Sequence, residues 1–343
     1  MTPVPFALTA DPLPWALPDD YPRHDPAPAE LHDAMDRIAG HLDWSQLSWT
    51  GLVEGLLRVG ATDIPLGRLV EGHVDALRIL GQAGVDPRPT ARYGVWASRS
   101  AGTGVAAVVE RGALRLNGTI RFASGAGILD RALVPVWLDP ETHLLVDLAV
   151  DGLPVDRSHW HTSAMRVSHS HTVTVADLSV DSADVVGESS FYLGRPGFLP
   201  GGVGVAAVWA GGLSRVLDVT VAMLSGRRVT EAQDSRLGRA RLQLVAALTA
   251  VRTAGSRLDE LWADLPDPTT ATSVAAVVTE SRAVVAHAVT AALAEVRMLA
   301  GPAGLAFDAD LGHALDDLGL YAAQLNVDAE ATRAGTALRS GRR

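Results

Sequence analysis

At 343 residues, 48% of them apolar and 20% charged, the chain is long enough for two or three units around a large core and has an ordinary globular composition. It has no cysteine, which excludes disulfides, thiolate nucleophiles and Cys-type zinc or iron–sulfur centres, and no lysine, which excludes Schiff-base and P-loop lysines. A net charge of −10 argues against nucleic acid as a partner, and the Pro-rich, base-poor N-terminus is not a secretory signal, so a cytoplasmic protein is expected.

In chain order, residues 1–28 read as an irregular arm because proline recurs too often for a helix. Leu31, Met35, Ile38 and Leu42 then fall at helical spacing, a second helical stretch follows near 46–59, and Leu66 to Leu80 make a third apolar face with Gly81 as its cap. Near residue 90 the pattern changes to short runs broken at Arg111-Gly112 and Asn117-Gly118. Asn-Gly between alternating Leu114, Leu116 and Ile120, Phe122 predicts a hairpin turn, because both turn residues tolerate positive φ. RALVPVW, HLLVDLAV and HTVTVADLSV continue the strand pattern to about 180. Helical periodicity returns from about 200: GGVGVAAVWAGGLSRVLDVTVAML, then the stretch marked by Leu237 to Leu261, then Val274 to Leu299, and one or two helices between Asp308 and Leu338. No uninterrupted apolar run reaches the roughly 20 residues that span a bilayer, so no membrane partner is expected. The predicted fold is α+β: an N-terminal arm and shortened helical region (1–88), a central antiparallel β domain (89–190) and a C-terminal four-helix bundle (191–343).

Among chemistry-bearing motifs, His159, His161, His169 and His171 form two i, i+2 pairs that would each share a strand face. No carboxylate motif accompanies them, so surface histidines are preferred to a metal site. Gly201-Gly202 and Gly211-Gly212, read as flanking the first long bundle helix, lack the GxGxxG context of a dinucleotide site and are better read as close packing or an N-terminal turn. Arg227 and Arg228 cap a helix dipole or clamp a pyrophosphate. Asp316, Asp317, Asp328 and Glu330 are the acid–base candidates near the C-terminus.

Three stretches resemble the acyl-CoA dehydrogenase family. LNGTIRFASGAG (116–127) is similar to the family's LNG followed by K-x-W-I-T-N-G, with Phe122 in the aromatic place and Ser124 in the hydroxyl place. HWHTSAMRVSHSHTVTVADLSVDSADVVG (159–187) resembles the segment that closes the β domain, with Trp160, Met165, Arg166, Ser168 and Val173 at matching places. AGPAGLAFDADLGHALDDLGLYAAQ (300–324) resembles the GG-x-G turn, Gly301 being its first glycine and Pro302 standing for its second. YGVWAS (93–98) lies where the family has its T-E-P strand.

The resemblance, which spans about residues 65–340, implies FAD as cofactor, with Trp96, Phe122 and Ser124 at the flavin ring and Arg227, Arg228 and Gly301 reaching a neighbouring subunit's FAD in a homodimer or homotetramer. It implies an oxidoreductase acting on a small-molecule substrate, at the CH–CH group of an acyl thioester such as an acyl-CoA or of a related compound. The family's base, eight residues after Asp317, falls on Leu325, with Asn326 beside it, and the first long bundle helix offers no acid at the alternative position. Asp328 or Glu330 would then have to substitute. A flavin-dependent monooxygenase of the same fold, which needs no such base, and a non-catalytic partner subunit are the alternatives.

Overall fold

The computed structural model describes residues 17–18, 20–99, 102–110, 112–264 and 267–340; most of the expected N-terminal arm, and Arg111 of the expected strand break, lie outside them. The described part of the arm is tied down: Leu17 is buried and the Arg23 guanidinium donates to the Thr62 carbonyl at 2.6 Å. Three helices follow, α1 (Pro28–Ala39), α2 (Trp49–Thr62) and α3 (Ile64–Gln82). Ser48 caps α2 and Asp63 caps α3 through side-chain oxygens that accept backbone N–H groups, as the orphan donors of a helix start require. Gly81 lies inside the last turn of α3 and Ala83 is its cap, a shift of two residues from the expected end.

The strands are β1 (Tyr93–Val95), β2 (Gly104–Glu110), β3 (Ala113–Ala123), β4 (Arg131–Trp137), β5 (His143–Ala149), β6 (Val155–Asp156), β7 (His171–Asp181) and β8 (Val185–Val186). They form one sheet in the order β6-β7-β3-β2-β4-β5-β8, with β1 on β4. Most pairs are antiparallel as expected, but β4 runs parallel to both β1 and β2, which strand periodicity alone does not reveal.

The Asn117-Gly118 turn is corrected by the structure. Both residues lie inside β3, at a register shift against β7, and the chain reverses between Glu110 and Ala113 instead. The freedom of Gly118 serves a bulge: a Cβ there would stand 2.1 Å from the Gly104 carbonyl oxygen. The Asn117 side-chain oxygen accepts from the Asp177 N–H at 2.8 Å across the same irregularity.

After the short α4 (Phe191–Gly194), the bundle comprises α5 (Gly201–Leu224), α6 (Glu231–Leu261), α7 (Pro268–Phe307), α8 (Ala309–Ala322) and α9 (Val327–Ser340). α7 is broken at Gly301, whose φ of 60° and ψ of −175° are non-helical, with Pro302 restarting the helix. α5 is the central rod, packed against α2, α6, α7 and α8. Gly211-Gly212 sits in its middle, so these glycines serve close packing rather than flanking the helix. α5 and the Thr269–Phe307 part of α7 are long and apolar enough to cross a membrane, which corrects the expectation from uninterrupted runs. That expectation stopped at Arg215 and Asp218, which a longer helix tolerates; 72% of the apolar window of α5 is buried against protein.

Candidate functional site

A cavity of about 260 Å³ opens between β3, β7 and the loop that joins β6 to β7, lined by Arg121, Phe122, Asp156, His159, Trp160, Ser170, His171 and Thr172. The sequence makes this wall by a second bulge. Ile120 pairs with Val173 and Ala123 with His171, so β3 spends an additional residue where β7 does not. Phe122 takes φ 57°, a left-handed conformation costly for an aromatic residue, and its ring is thrown outward to 58% exposure. The Trp160 ring meets it edge-on, with centroids 6.5 Å apart, and the Trp160 indole N–H donates to the Ala164 carbonyl at 3.0 Å.

Behind Phe122, the chain is held in place from both sides. The buried Trp96 donates its indole N–H to the Ser124 carbonyl at 2.8 Å. Gly125 and Ala126 donate their N–H groups to the Ser168 and His169 carbonyls at 2.9 and 3.1 Å. Three buried hydroxyls line up across this junction. Ser168 Oγ donates to the Met165 carbonyl at 2.7 Å, Ser168 and Ser170 Oγ are 2.8 Å apart, and Ser170 and Ser124 Oγ are also 2.8 Å apart. Met165, in a left-handed conformation at φ 54°, is anchored from the bundle: its N–H donates to Asp317 Oδ1 on α8 at 2.5 Å.

Burial lowers His169 to about 4 and also pushes His171 down, and the Nδ1 atoms of both are buried without a hydrogen-bond partner. The histidine pairs do not share a strand face. His169 lies before β7, at φ 46°, and its ring stands edge-on to His171 at 5.6 Å, while His159 pairs with Asp156 at 3.2 Å in the loop. The Asp156 carboxyl is held below its usual range, chiefly by the Ser158 hydroxyl and N–H and by His159.

The candidate residues from the sequence therefore divide. Phe122 lines the cavity. Ser124 sits one hydroxyl behind its wall, and Trp96 lies underneath as a support rather than as a ring-facing residue, because its indole is buried and committed to Ser124. Arg227 and Arg228 are exposed beyond the end of α5, where Arg227 borders a different cavity of about 450 Å³ with Arg215, Asp308 and Asp310. Gly301 marks the α7 break near that end. Within one chain these residues do not converge with Phe122.

Neither acid candidate reaches the cavity. Asp328 is exposed in the first turn of α9, and Glu330 is buried against Arg333 at 2.5 Å with its second oxygen unpartnered. The family's base position, Leu325, is itself buried. Sequence reasoning missed Ser170 and Thr172 as wall residues; the signal was the alternation of HTVT in β7, legible only once the bulge opposite is known.

No protein-family model and no curated protein matches this chain. Solved structures do. The dibenzothiophene monooxygenase TdsC from Paenibacillus sp. A11-2, solved also with FMN and indole, is 18% identical with a TM-score of 0.75 in that complex, covering 90% of each chain. XiaF from a Streptomyces species, in complex with FADH2 and glycerol, is 20% identical with a TM-score of 0.70, covering 91% of this chain and 87% of its own. Methanesulfinate monooxygenase MsuC from Pseudomonas fluorescens is 14% identical with a TM-score of 0.75, covering 90% of this chain and 89% of its own. At these identities the likeness establishes the fold, and this chain has the acyl-CoA dehydrogenase-like fold.

Proposed function

We propose that this chain is a flavin-dependent monooxygenase, which holds a reduced flavin against Phe122 and Trp160 and passes one oxygen atom of O2 to a small organic substrate, the other leaving as water as the flavin is oxidised. The observation that carries this choice is the absence, among the described residues lining the cavity, of a base fit to abstract a proton α to a thioester. Asp156 is the one carboxylate in that wall, and its lowered pKa makes it a weak base. Oxygen transfer from reduced flavin requires no such base. The wall suits a flat, polar-edged ring: two aromatic faces and the hydroxyls of Ser170 and Thr172. When bound, the reduced flavin would supply the electrons that activate O2; the protein's part is to seat the ring against Phe122 and Trp160. The similar structures named with FMN or FADH2, and as monooxygenases, point the same way.

FMN and FAD both remain in the proposal. If FAD is used, Arg227, Arg228 and Gly301 would reach the nucleotide held by a neighbouring subunit of a homodimer or homotetramer. The exposed Met298 and Phe307, on either side of Gly301, favour a subunit contact there.

The test is anaerobic titration of purified protein with reduced and oxidised FMN and FAD, followed by mixing with O2, with light scattering on the same sample for its oligomeric state. Uptake of reduced flavin and no bleaching of bound oxidised flavin by acyl-CoA are expected. Bleaching by acyl-CoA would replace this reading with the dehydrogenase, and failure to take up flavin in either state would replace it with a non-catalytic subunit.

Phe122→Gly should separate the two roles of this position. Glycine relieves the left-handed strain, so the melting temperature should hold or rise, by about 1 kcal/mol of stability. Loss of the ring should weaken flavin binding by about tenfold, the value of one aromatic contact. Unchanged flavin affinity would remove Phe122 from the ring site.

A further inference from the structure

A second cavity, of about 800 Å³, opens between α1, α3, the loop 87–92 that leads into β1, and Asp130. It shares no lining residue with the cavity at Phe122, and its volume is that of a small-molecule site. Its charges are already paired. The Arg92 guanidinium donates to the two Asp36 oxygens at 3.0 and 2.6 Å and reaches Asp130 at 3.4 Å, while Arg88 donates to Asp184 at 3.0 Å. Met35 and Leu77 add apolar surface, and Pro87 and Pro89 have no N–H to offer. A buried donor is left over on His73, which is 8% exposed. The Tyr93 N–H at the start of β1 donates to His73 Nδ1 at 3.1 Å. An N–H can only donate, so Nδ1 is the bare nitrogen and the ring proton sits on Nε2. Burial pushes the His73 pKa down to about 4, against the pull of Asp36 and with Arg92 adding to the fall, so the ring is neutral. Nε2 has no partner among the described residues and is not enclosed by protein, so it opens into the cavity that His73 lines. Holding β1 in place accounts for Nδ1 and leaves Nε2 unexplained.

We propose that this cavity is a second binding site, for a neutral organic molecule with an apolar body and one carbonyl oxygen that accepts from the His73 Nε2–H. The class follows from what the walls can pair. An anion would lie beside Asp36 and Asp130 with only a neutral donor to hold it. A cation would meet the N–H, and its rivals for the two carboxylates are already in place on Arg92. A neutral acceptor satisfies Nε2 and leaves every ion pair intact. The site stands apart from the flavin reading and does not depend on it.

The experiment is a fluorine NMR titration of the purified full chain with three probes of one shape: para-fluoroacetophenone, which is neutral, para-fluorobenzoate and para-fluorobenzylamine. The wild-type chain should bind the ketone with a dissociation constant of about 1–10 mM, as expected for about ten non-hydrogen atoms, and each charged probe at least about fivefold more weakly. His73→Asn keeps a side-chain oxygen for the Tyr93 N–H and withdraws the donor from the cavity. It should weaken the ketone at least about fivefold and bring the ketone-to-benzoate ratio to within about twofold of unity. Ala39→Phe fills the cavity from the half-buried end of α1 without touching His73. It should abolish ketone binding, and it stands in if His73→Asn does not fold. A His73 that is only structural would weaken all three probes alike and leave the ratio unchanged, which would overturn the proposal. Equal affinity of wild type for the three probes would overturn the ligand class. Ketone binding that persists in both variants places the probe in another cavity, and no binding by wild type at about 50 mM ketone, well above the range expected for a ligand of this size, removes the site.

Discussion

Gly211→Ala should destabilise this protein by more than about 3 kcal/mol, although Gly to Ala inside a helix ordinarily stabilises by close to 1 kcal/mol. The reversal comes from the crossing of α5 over α2. A Cβ on Gly211 would lie 2.0 Å from the Leu57 carbonyl oxygen and 2.9 Å from the Ala61 nitrogen, both backbone atoms that no rotamer change can move. The partner helix contributes the reciprocal gap: a Cβ on Gly60 would lie 2.3 Å from the Val208 carbonyl oxygen. The two rods therefore touch backbone to backbone, and relief requires them to separate, opening voids beside fully buried Leu57, Val208 and Ala210. Gly238→Ala is the control. Gly238 is exposed on α6 with nothing within 4 Å of its would-be Cβ, so the same substitution should stabilise by about 0.5–1 kcal/mol. Chemical denaturation of both variants reads the two signs. A neutral Gly211→Ala would mean that α2 and α5 can separate freely, and the packing account of the bundle would fail.

That crossing shows what the sequence could and could not disclose. Helices and strands were legible where periodicity is local: the apolar spacing gives α1 to α3 and α5 to α7, and RALVPVW is β4 to the residue. The break at Gly301-Pro302 was expected only through the resemblance of 300–324 to the family's glycine turn, and the structure shows that glycine and proline make it on their own backbone. What was misread depends on partners far away in the chain. Asn117-Gly118 has the chemistry of a hairpin turn, yet the close approach of Gly104 uses the same freedom for a bulge. Strand alternation gave the residues of β3 but not the second bulge, which is what turns Phe122 outward. The row of hydroxyls joins residue 124, just past the end of β3, to residues 168 and 170, just before β7, and neither segment announces it alone. The missing base was legible by counting to Leu325, and the structure adds that Leu325 is buried while Asp328 and Glu330 face elsewhere.

Asp317→Asn should stabilise the chain at pH 8 by on the order of 3 kcal/mol and leave it nearly unchanged at pH 4. Asp317 is buried on α8, and burial raises its pKa to about 7 from the ordinary 3.8, with the Met165 N–H opposing that rise and the charges of Asp63 and Asp316 adding to it. A carboxyl raised in the folded state is protonated there while the unfolded chain has already released its proton. Its stability is full below about 4 and is lost as pH climbs through the folded value near 7. Asparagine keeps an oxygen for the Met165 N–H but never ionises, so that loss disappears. Thermal unfolding of both proteins between pH 4 and 8 gives the comparison. Curves that remain parallel across the window would show that Asp317 stays ionised when folded. Glu71, raised to about 7 by burial beside Arg68, leaves a residual slope in the variant.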